Sequence, residues 1–391
     1  LCFMKVFIKG LNSCAMRRHK LRQYHDFLEA HGHELVSKPE DSDVNIVWTC
    51  GFREDVKNNS LQEIQHYQKD YQGETIVAGC VPDIVPDELS QVFSGRVLNW
   101  KEDEKKLHDY FKCKDISLSQ YSGGYAEAKI CDNTEQWRKE HPEIDVTFHD
   151  QFIKLVISEG CLYNCSYCSE KLMFPTYRSF PQDELVKACQ EVVEKTGCKE
   201  VILIADSLGN YGQDNQSSLP QLMNKLFTID PNLKIALNNL NPANFIQYYD
   251  EMVYFIKGGN ILHLNLPIQS ASNRLLKLMQ RPYAKQDIVK IFNFLNEVEF
   301  KEFDTHILVG FPGEQEEDVE ETIEFLLSHR VKYVLISGYM ESPAMPSAFL
   351  VDKIPGDVIR HRIERICQRA KDTGILYNAD LTTRCTAMNI I

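Results

Sequence analysis

The sequence predicts an α/β protein: an N-terminal open parallel α/β sheet domain, followed by a larger region of repeated strand–loop–helix units. Three observations predict it. Short β-branched runs alternate with segments of helical period along most of the chain. A polar stretch without sustained periodicity, residues 112–149, separates the two regions. Several cysteines stand just past the C-terminal ends of candidate strands, the edge where parallel sheets bind ligands. The expected divisions are residues 1–111, a linker over 112–149, a second domain over 150–375 and a tail over 376–391.

The first strand is Lys5 to Lys9, with a turn from Gly10 to Ser13 and Cys14 at the start of a helix. Leu21, Tyr24, Phe27 and Leu28 recur there at helical spacing, and Gly32 is the usual stop residue. Val44 to Trp48 is the second strand, with Cys50 two residues beyond it. A polar helix runs through Leu61, Ile64 and Tyr67, and Thr75 to Ala78 is a third strand ending at Gly79-Cys80. Cys14, Cys50 and Cys80 therefore share one sheet edge, as a three-cysteine cluster site requires. The linker is expected to hold a short helix near Glu135 to Glu140.

From Phe152 the strand–loop–helix pattern repeats. Candidate strands are Phe152–Ile157, Glu200–Ile204, Leu233–Leu237, Ile261–Leu266, Phe303–Val309 and Tyr333–Ile336. Helices begin near Gln182, Leu219, Pro242, Ala271 or Asn273, Glu316 and Pro355.

Composition narrows the class. The chain has 391 residues, 43% of them hydrophobic, and no apolar run long enough to span a membrane. Its 13 cysteines, behind an N-terminus unlike a signal peptide, suit a reducing, cytoplasmic setting in which thiols bind metal or react. A net charge of −13 counts against a nucleic-acid partner, which is usually met by a basic patch.

The most informative stretch is Cys161-Leu-Tyr-Asn-Cys165-Ser-Tyr-Cys168, directly after the strand Phe152–Ile157. Three thiolates in one loop favour a soft metal or an iron–sulfur cluster. A closed zinc site takes four ligands, so three cysteines leave one iron of a [4Fe–4S] cluster open to a substrate or cosubstrate. The CxxxCxxC spacing, with Tyr167 before the last cysteine, resembles the radical S-adenosylmethionine (SAM) enzymes. Taken with Cys14, Thr49-Cys50-Gly51-Phe52 and Ala78-Gly79-Cys80, it resembles the radical SAM methylthiotransferase family.

That resemblance implies a partial (β/α)6 TIM barrel as the second domain, with its chemistry at the C-terminal strand ends. It implies two [4Fe–4S] clusters, one on Cys161, Cys165 and Cys168 and an auxiliary one on Cys14, Cys50 and Cys80. It implies SAM contacts from Tyr167, Asp206, Ser207, Asn238, Gln269, Ser270, Gly310, Phe311 and Gly313. The supporting segments are Asp206-Ser-Leu-Gly-Asn-Tyr-Gly212, Gly310-Phe-Pro-Gly-Glu314 and the stretch His263 to Tyr283. The last resembles the family's His-x-Pro-Leu-Gln-Ser-Gly-Ser-Asp-x-Val-Leu-x-x-Met-x-Arg-x-Tyr. The chain departs from the pattern at Phe180 and Ala236, where the family has arginines, and at Asp206, where it has glutamine.

The implied activity is sulfur transfer. A 5′-deoxyadenosyl radical from SAM activates a C–H bond, and the auxiliary cluster delivers sulfur or a methylthio group. A flavodoxin- or ferredoxin-type reductant and a sulfur donor are the implied partners. The family continues into an RNA-gripping β module, the TRAM domain, for which residues 376–391 are too few. With the acidic balance and the lost arginines, this favours a peptide or protein substrate. The alternatives are a tRNA adenosine methylthiotransferase whose RNA-binding module lies outside this sequence, an auxiliary cluster used for electron transfer or substrate anchoring, and a non-catalytic metal-binding scaffold. Cys113, Cys131, Cys189, Cys198, Cys367 and Cys385 match no ligand position and are expected to be plain thiols.

Overall fold

The computed structural model describes residues 3–11, 15–51, 54–113, 118, 126–130, 151–174, 176–329 and 331–379. Cys14, Cys131, Cys385, the expected helix near Glu135 to Glu140 and most of the tail lie outside the described residues. The chain forms two compact units. The first is residues 1–124 with 169–176, and the second is residues 125–168 with 177–391.

The first unit is built on a five-stranded parallel sheet of β1 (Lys5–Gly10), β2 (Glu34–Leu35), β3 (Val44–Thr49), β4 (Glu74–Gly79) and β5 (Arg96–Val97), in the order β2-β1-β3-β4-β5. β3 is buried along its whole length, as a central parallel strand covered on both faces must be. Its side chains alternate between two cores. Ile46 and Trp48 pack with Tyr24, Phe27 and Leu28, while Val47 packs with Ile64, Tyr67 and Val77. The helices Ala15–Ala30 and Glu54–Asp70 supply those partners apart from Val77, which lies on β4. Met173 and Phe174, just past the CxxxCxxC loop, join the second of these cores.

The second unit holds an eight-stranded sheet in the order β15-β14-β13-β12-β11-β10-β7-β6. The strands are β6 (Ala126–Ile130), β7 (Gln151–Val156), β10 (Glu200–Ile204), β11 (Lys234–Leu237), β12 (Ile261–Asn265), β13 (Phe303–Val309), β14 (Tyr333–Gly338) and β15 (Leu376–Ala379). From β7 to β15 all neighbours are parallel; β6 is antiparallel to β7. A small antiparallel pair, β8 (Ser158–Glu159) with β9 (Arg178–Ser179), closes the stem of the cysteine loop. Several connecting helices start at a side-chain cap, two of them with proline in the first turn. Asn241 caps the helix Pro242–Gln247, Ser218 the helix Leu219–Phe227 and Ser272 the helix Asn273–Leu278.

Two readings of the sequence need correction here. β6 falls inside residues 112–149, expected to be linker, and β15 falls in the expected tail. Each is a short edge element that exists through pairing with a neighbour, so its own sequence carries little signal. The sheet thus extends beyond the expected strands at both edges.

Candidate functional site

The loop bearing Cys161, Cys165 and Cys168 is fixed from several strand ends of the second unit. The Gly160 N–H donates to the Asp206 carboxylate at 2.8 Å, and the Leu162 N–H donates to Asn210 Oδ1 at 3.1 Å. Both acceptors lie just past β10. Ser166 ties the loop to the end of the helix Asn273–Leu278. Its N–H donates to the Met279 carbonyl and its hydroxyl to the Leu278 carbonyl, both at 3.0 Å. The Ser347 N–H, beyond β14, donates in turn to the Ser166 carbonyl at 2.9 Å.

The cysteine sulfurs are met by donors. The Tyr163 N–H approaches Cys161 Sγ at 3.4 Å, and the Arg281 guanidinium approaches Cys165 Sγ at 3.2 Å. Arg281 also donates to Tyr283 Oη at 2.8 Å, to the Pro267 carbonyl at 3.0 Å and to Tyr167 Oη at 3.4 Å. Asn210 and Arg281 contact the cysteine loop, and neither is among the residues expected from the sequence. Arg281 was in view within the Met-x-Arg-x-Tyr match, but a motif does not show which sulfur an arginine reaches.

The expected SAM contacts divide by environment. Tyr167 packs edge-on against Phe311, which has 0% exposure and also packs against Tyr339, so Phe311 is part of the floor of the loop. Gly310 has φ +83°, and a Cβ there would lie 2.3 Å from Ile359 Cγ1. Its requirement for glycine is therefore met by packing within the protein. Gly313 also has positive φ, but a Cβ there would make only an ordinary contact with Leu278. The Ser270 hydroxyl is committed to Thr322 Oγ1 at 3.2 Å and to the Ser272 N–H at 3.1 Å. Gln269 differs. Its backbone pairs with β13, donating to His306 and accepting from Leu308, at φ +64°, while its half-buried side chain is left over. Ser207 is 3% exposed and its hydroxyl has no hydrogen-bond partner. Asn238 is half-buried at the end of β11. Asp206 serves the cysteine loop through Gly160.

The Gly310–Glu314 turn is held from within. Glu314 accepts the Gly310 N–H at 2.7 Å and pairs with Arg362 at 2.8 Å. Burial pushes its carboxyl up to about 7, against the pull of Gly310 and Arg362. On the adjoining strands β12 and β13, Asp304 meets His263 and Asn265, and the Asn265 amide also meets His306 at 2.8 Å. Burial raises the Asp304 carboxyl, but hydrogen bonding and charge from His263 hold it below the usual range. Counted back from Pro267, the family's His-x-Pro places its histidine at Asn265 and not at His263, which lies two residues earlier.

In the first unit, Thr49 pairs with Gly79 across β3 and β4, so Cys50 and Cys80 leave adjacent strands at the same edge. The Cys80 N–H donates to the Thr49 carbonyl at 3.0 Å, and Ser60 Oγ accepts the Cys50 N–H at 3.2 Å. Gly79 has φ +90°, and a Cβ there would meet the Thr49 carbonyl oxygen at 2.3 Å. Cys14 belongs to the segment after β1, the neighbour of β3, but lies outside the described residues.

The donor sets suit iron–sulfur chemistry. Three cysteines in one loop, the Tyr163 N–H aimed at one sulfur and a guanidinium beside another fit a thiolate-ligated, net-negative cluster. The unpartnered Ser207 hydroxyl fits a polar ligand at the end of β10. Among the described residues, no three His, Cys, Asp or Glu side chains converge on one point. None of the described cysteines is disulfide-bonded. Burial pushes the Cys189 thiol up to about 12 and the Cys367 thiol up to about 11, as inert interior thiols behave.

Comparison with known proteins agrees with this geometry. Residues 155–326 match the radical SAM superfamily, and residues 5–98 match a family described as uncharacterized protein family UPF0004. The fold is shared with the radical SAM methyltransferase TsrM from Kitasatospora setae, with a TM-score of 0.61, 12% identity, and coverage of 88% of this chain and 77% of that one. A probable threonylcarbamoyladenosine tRNA methylthiotransferase from Pyrococcus horikoshii is 26% identical over 92% of this chain and 82% of its own length. The threonylcarbamoyladenosine tRNA methylthiotransferase of Drosophila melanogaster is 27% identical over 93% of this chain and 64% of its own length. The ribosomal protein uS12 methylthiotransferase RimO of Thermosipho africanus is 27% identical over 86% of this chain and 76% of its own length.

A partial parallel barrel with CxxxCxxC after its first parallel strand, matched to the superfamily over most of its length, defines a radical SAM enzyme. Within that class, the N-terminal match and these relatives place the chain in the radical SAM methylthiotransferase family. Enzymes of this family use SAM and two [4Fe–4S] clusters. Among the described residues no helix is long and apolar enough to cross a membrane.

Proposed function

We propose that this enzyme methylthiolates threonylcarbamoyladenosine in tRNA. The observation that carries the reading is the similarity, along 92% and 96% of the chain, to two archaeal relatives described as probable threonylcarbamoyladenosine tRNA methylthiotransferases. These relatives favour tRNA over the peptide or protein substrate expected from the acidic composition. Net charge averages over the whole surface, whereas an RNA contact depends on local patches.

Cys161, Cys165 and Cys168 would hold the first cluster, which would supply the one-electron cleavage of SAM that activates a C–H bond. Asp206, Asn210 and Ser166 keep that loop in register with the strand ends. Ser207, Asn238 and Gln269 offer polar contacts to SAM from the ends of β10 and β11 and from beyond β12. Tyr167 and Phe311 exclude water beneath the loop. Cys14, Cys50 and Cys80 would hold the second cluster, which would supply the sulfur. A flavodoxin- or ferredoxin-type protein supplies the electron, a separate donor supplies sulfur, and the setting is cytoplasmic.

The test is to incubate the reconstituted enzyme with SAM, reductant and tRNA bearing threonylcarbamoyladenosine, then digest the tRNA and weigh its nucleosides. The reading predicts a methylthio derivative of that nucleoside. Unmodified tRNA, with methylthiolation of ribosomal protein uS12 in a parallel reaction, would transfer the assignment to the protein substrate that the RimO relative acts on.

A further inference from the structure

Arg281 brings a positive charge to a half-buried position with no carboxylate to meet it. The helix Asn273–Leu278 ends just before it, and Gln280, at φ +55°, redirects the chain. The acceptors of the guanidinium are Tyr283 Oη at 2.8 Å, the Pro267 carbonyl at 3.0 Å, Cys165 Sγ at 3.2 Å and Tyr167 Oη at 3.4 Å. Among the described residues no ion pair includes Arg281. A cation partly withdrawn from water and held by neutral groups alone is unfavourable. Tyr283 does not relieve it, because its hydroxyl is committed to the Ile268 carbonyl at 2.7 Å. The acceptor suited to carry the countercharge is the sulfur of Cys165.

We propose that Arg281 sets the charge at the barrel cluster: hydrogen-bonded to the Cys165 sulfur, its guanidinium stabilises the more negative, one-electron-reduced cluster and so raises its reduction potential. Net charge and hydrogen bonds to sulfur are the protein's two principal means of adjusting such a potential, and both are strongest away from water. The step is a single electron transfer. A low-potential flavin or iron–sulfur reductant loses one electron, the cluster gains it, and no bond changes until that electron enters the C5′–S bond of SAM. Arg281 is a positioning residue, acting through Cys165 and not on substrate. The inference rests on the reading that Cys161, Cys165 and Cys168 hold a cluster.

The experiment is a potentiometric titration of the anaerobically reconstituted full chain, with electron paramagnetic resonance following the signal that changes on adding SAM. Wild type is compared with Arg281→Met and Arg281→Lys. At one fixed solution potential, Arg281→Met is expected to show a reduced-to-oxidised ratio at least about tenfold lower, about 59 mV for a one-electron couple. Arg281→Lys, which keeps the charge, is expected to stay close to wild type. An Arg281→Met protein that loads iron normally and titrates at the wild-type potential overturns the proposal. Should Arg281→Met take up no iron at this site, Arg281→Lys decides. Loading at the wild-type potential supports a role for charge, and failure to load with a native circular dichroism spectrum overturns it. A wild-type protein without any SAM-sensitive signal removes the cluster reading itself, before any variant is compared.

Discussion

The Asp206 carboxylate accepts the Gly160 N–H at 2.8 Å, so the end of β10 sets the first turn of the loop that carries the three barrel cysteines. A hydrogen bond to a charged group contributes about 1.5–3 kcal/mol. Asp206→Ala should therefore loosen the loop and lower the iron bound after reconstitution, with the remainder of the fold intact. Iron analysis beside circular dichroism checks this. Wild-type iron content in Asp206→Ala would show that the loop does not depend on this contact.

Gln269 and Ser270 are neighbours that should separate experimentally. Ser270 is 1% exposed and hydrogen-bonded to Thr322 and Ser272, so Ser270→Ala should cost about 1–2 kcal/mol in urea unfolding with modest loss of 5′-deoxyadenosine formation. Gln269→Ala leaves its backbone pairing in place and should instead raise the SAM concentration needed for half-maximal rate. The opposite pattern would exchange their roles.

Glu314 gives the turn from Gly310 a pH dependence. Burial raises its carboxyl from 4.5 to about 7. The folded state thus binds more protons than the unfolded state between those values, and stability falls as pH rises through that window. The contribution is fully present below about pH 4.5 and lost above about pH 7. Glu314→Gln should flatten this slope, and urea midpoints at several pH values for both proteins measure it. Parallel slopes in the two proteins would contradict the assignment.

Gly310→Ala tests whether glycine is required here by the protein itself. It places a Cβ 2.3 Å from Ile359 Cγ1 at φ +83° and should destabilise by about 2–4 kcal/mol. Adding Ile359→Ala should recover the steric part and leave about 1 kcal/mol of backbone strain. A thermal melt of the single and double variants decides, and no recovery would indicate that strain alone is at work.

Much of the fold could be read from the chain because its local signals agree. Strands such as Phe303–Val309 are dense in β-branched residues, and a polar cap marks helix starts at Pro242, after Asn241, and at Asn273, after Ser272. β6 and β15 could not be read, since short edge strands are made by the partner they pair with. The cysteine loop was legible because Cys161, Cys165 and Cys168 lie close together in one short stretch of sequence. The contact of Arg281 with Cys165 was not, because 116 residues separate the two and only the fold brings them together. Phe311 and Ser270 appeared as ligands in the motif, yet burial commits one to the floor of the loop and the other to Thr322.

The most direct test of the two-cluster methylthiotransferase account is anaerobic reconstitution with an iron and sulfide count, followed by SAM and dithionite. The account predicts about eight irons per chain, with both S-adenosylhomocysteine and 5′-deoxyadenosine formed, and about four irons after Cys50→Ala. About four irons in the wild type, lost on changing Cys165 but unaffected by Cys50→Ala, would contradict it.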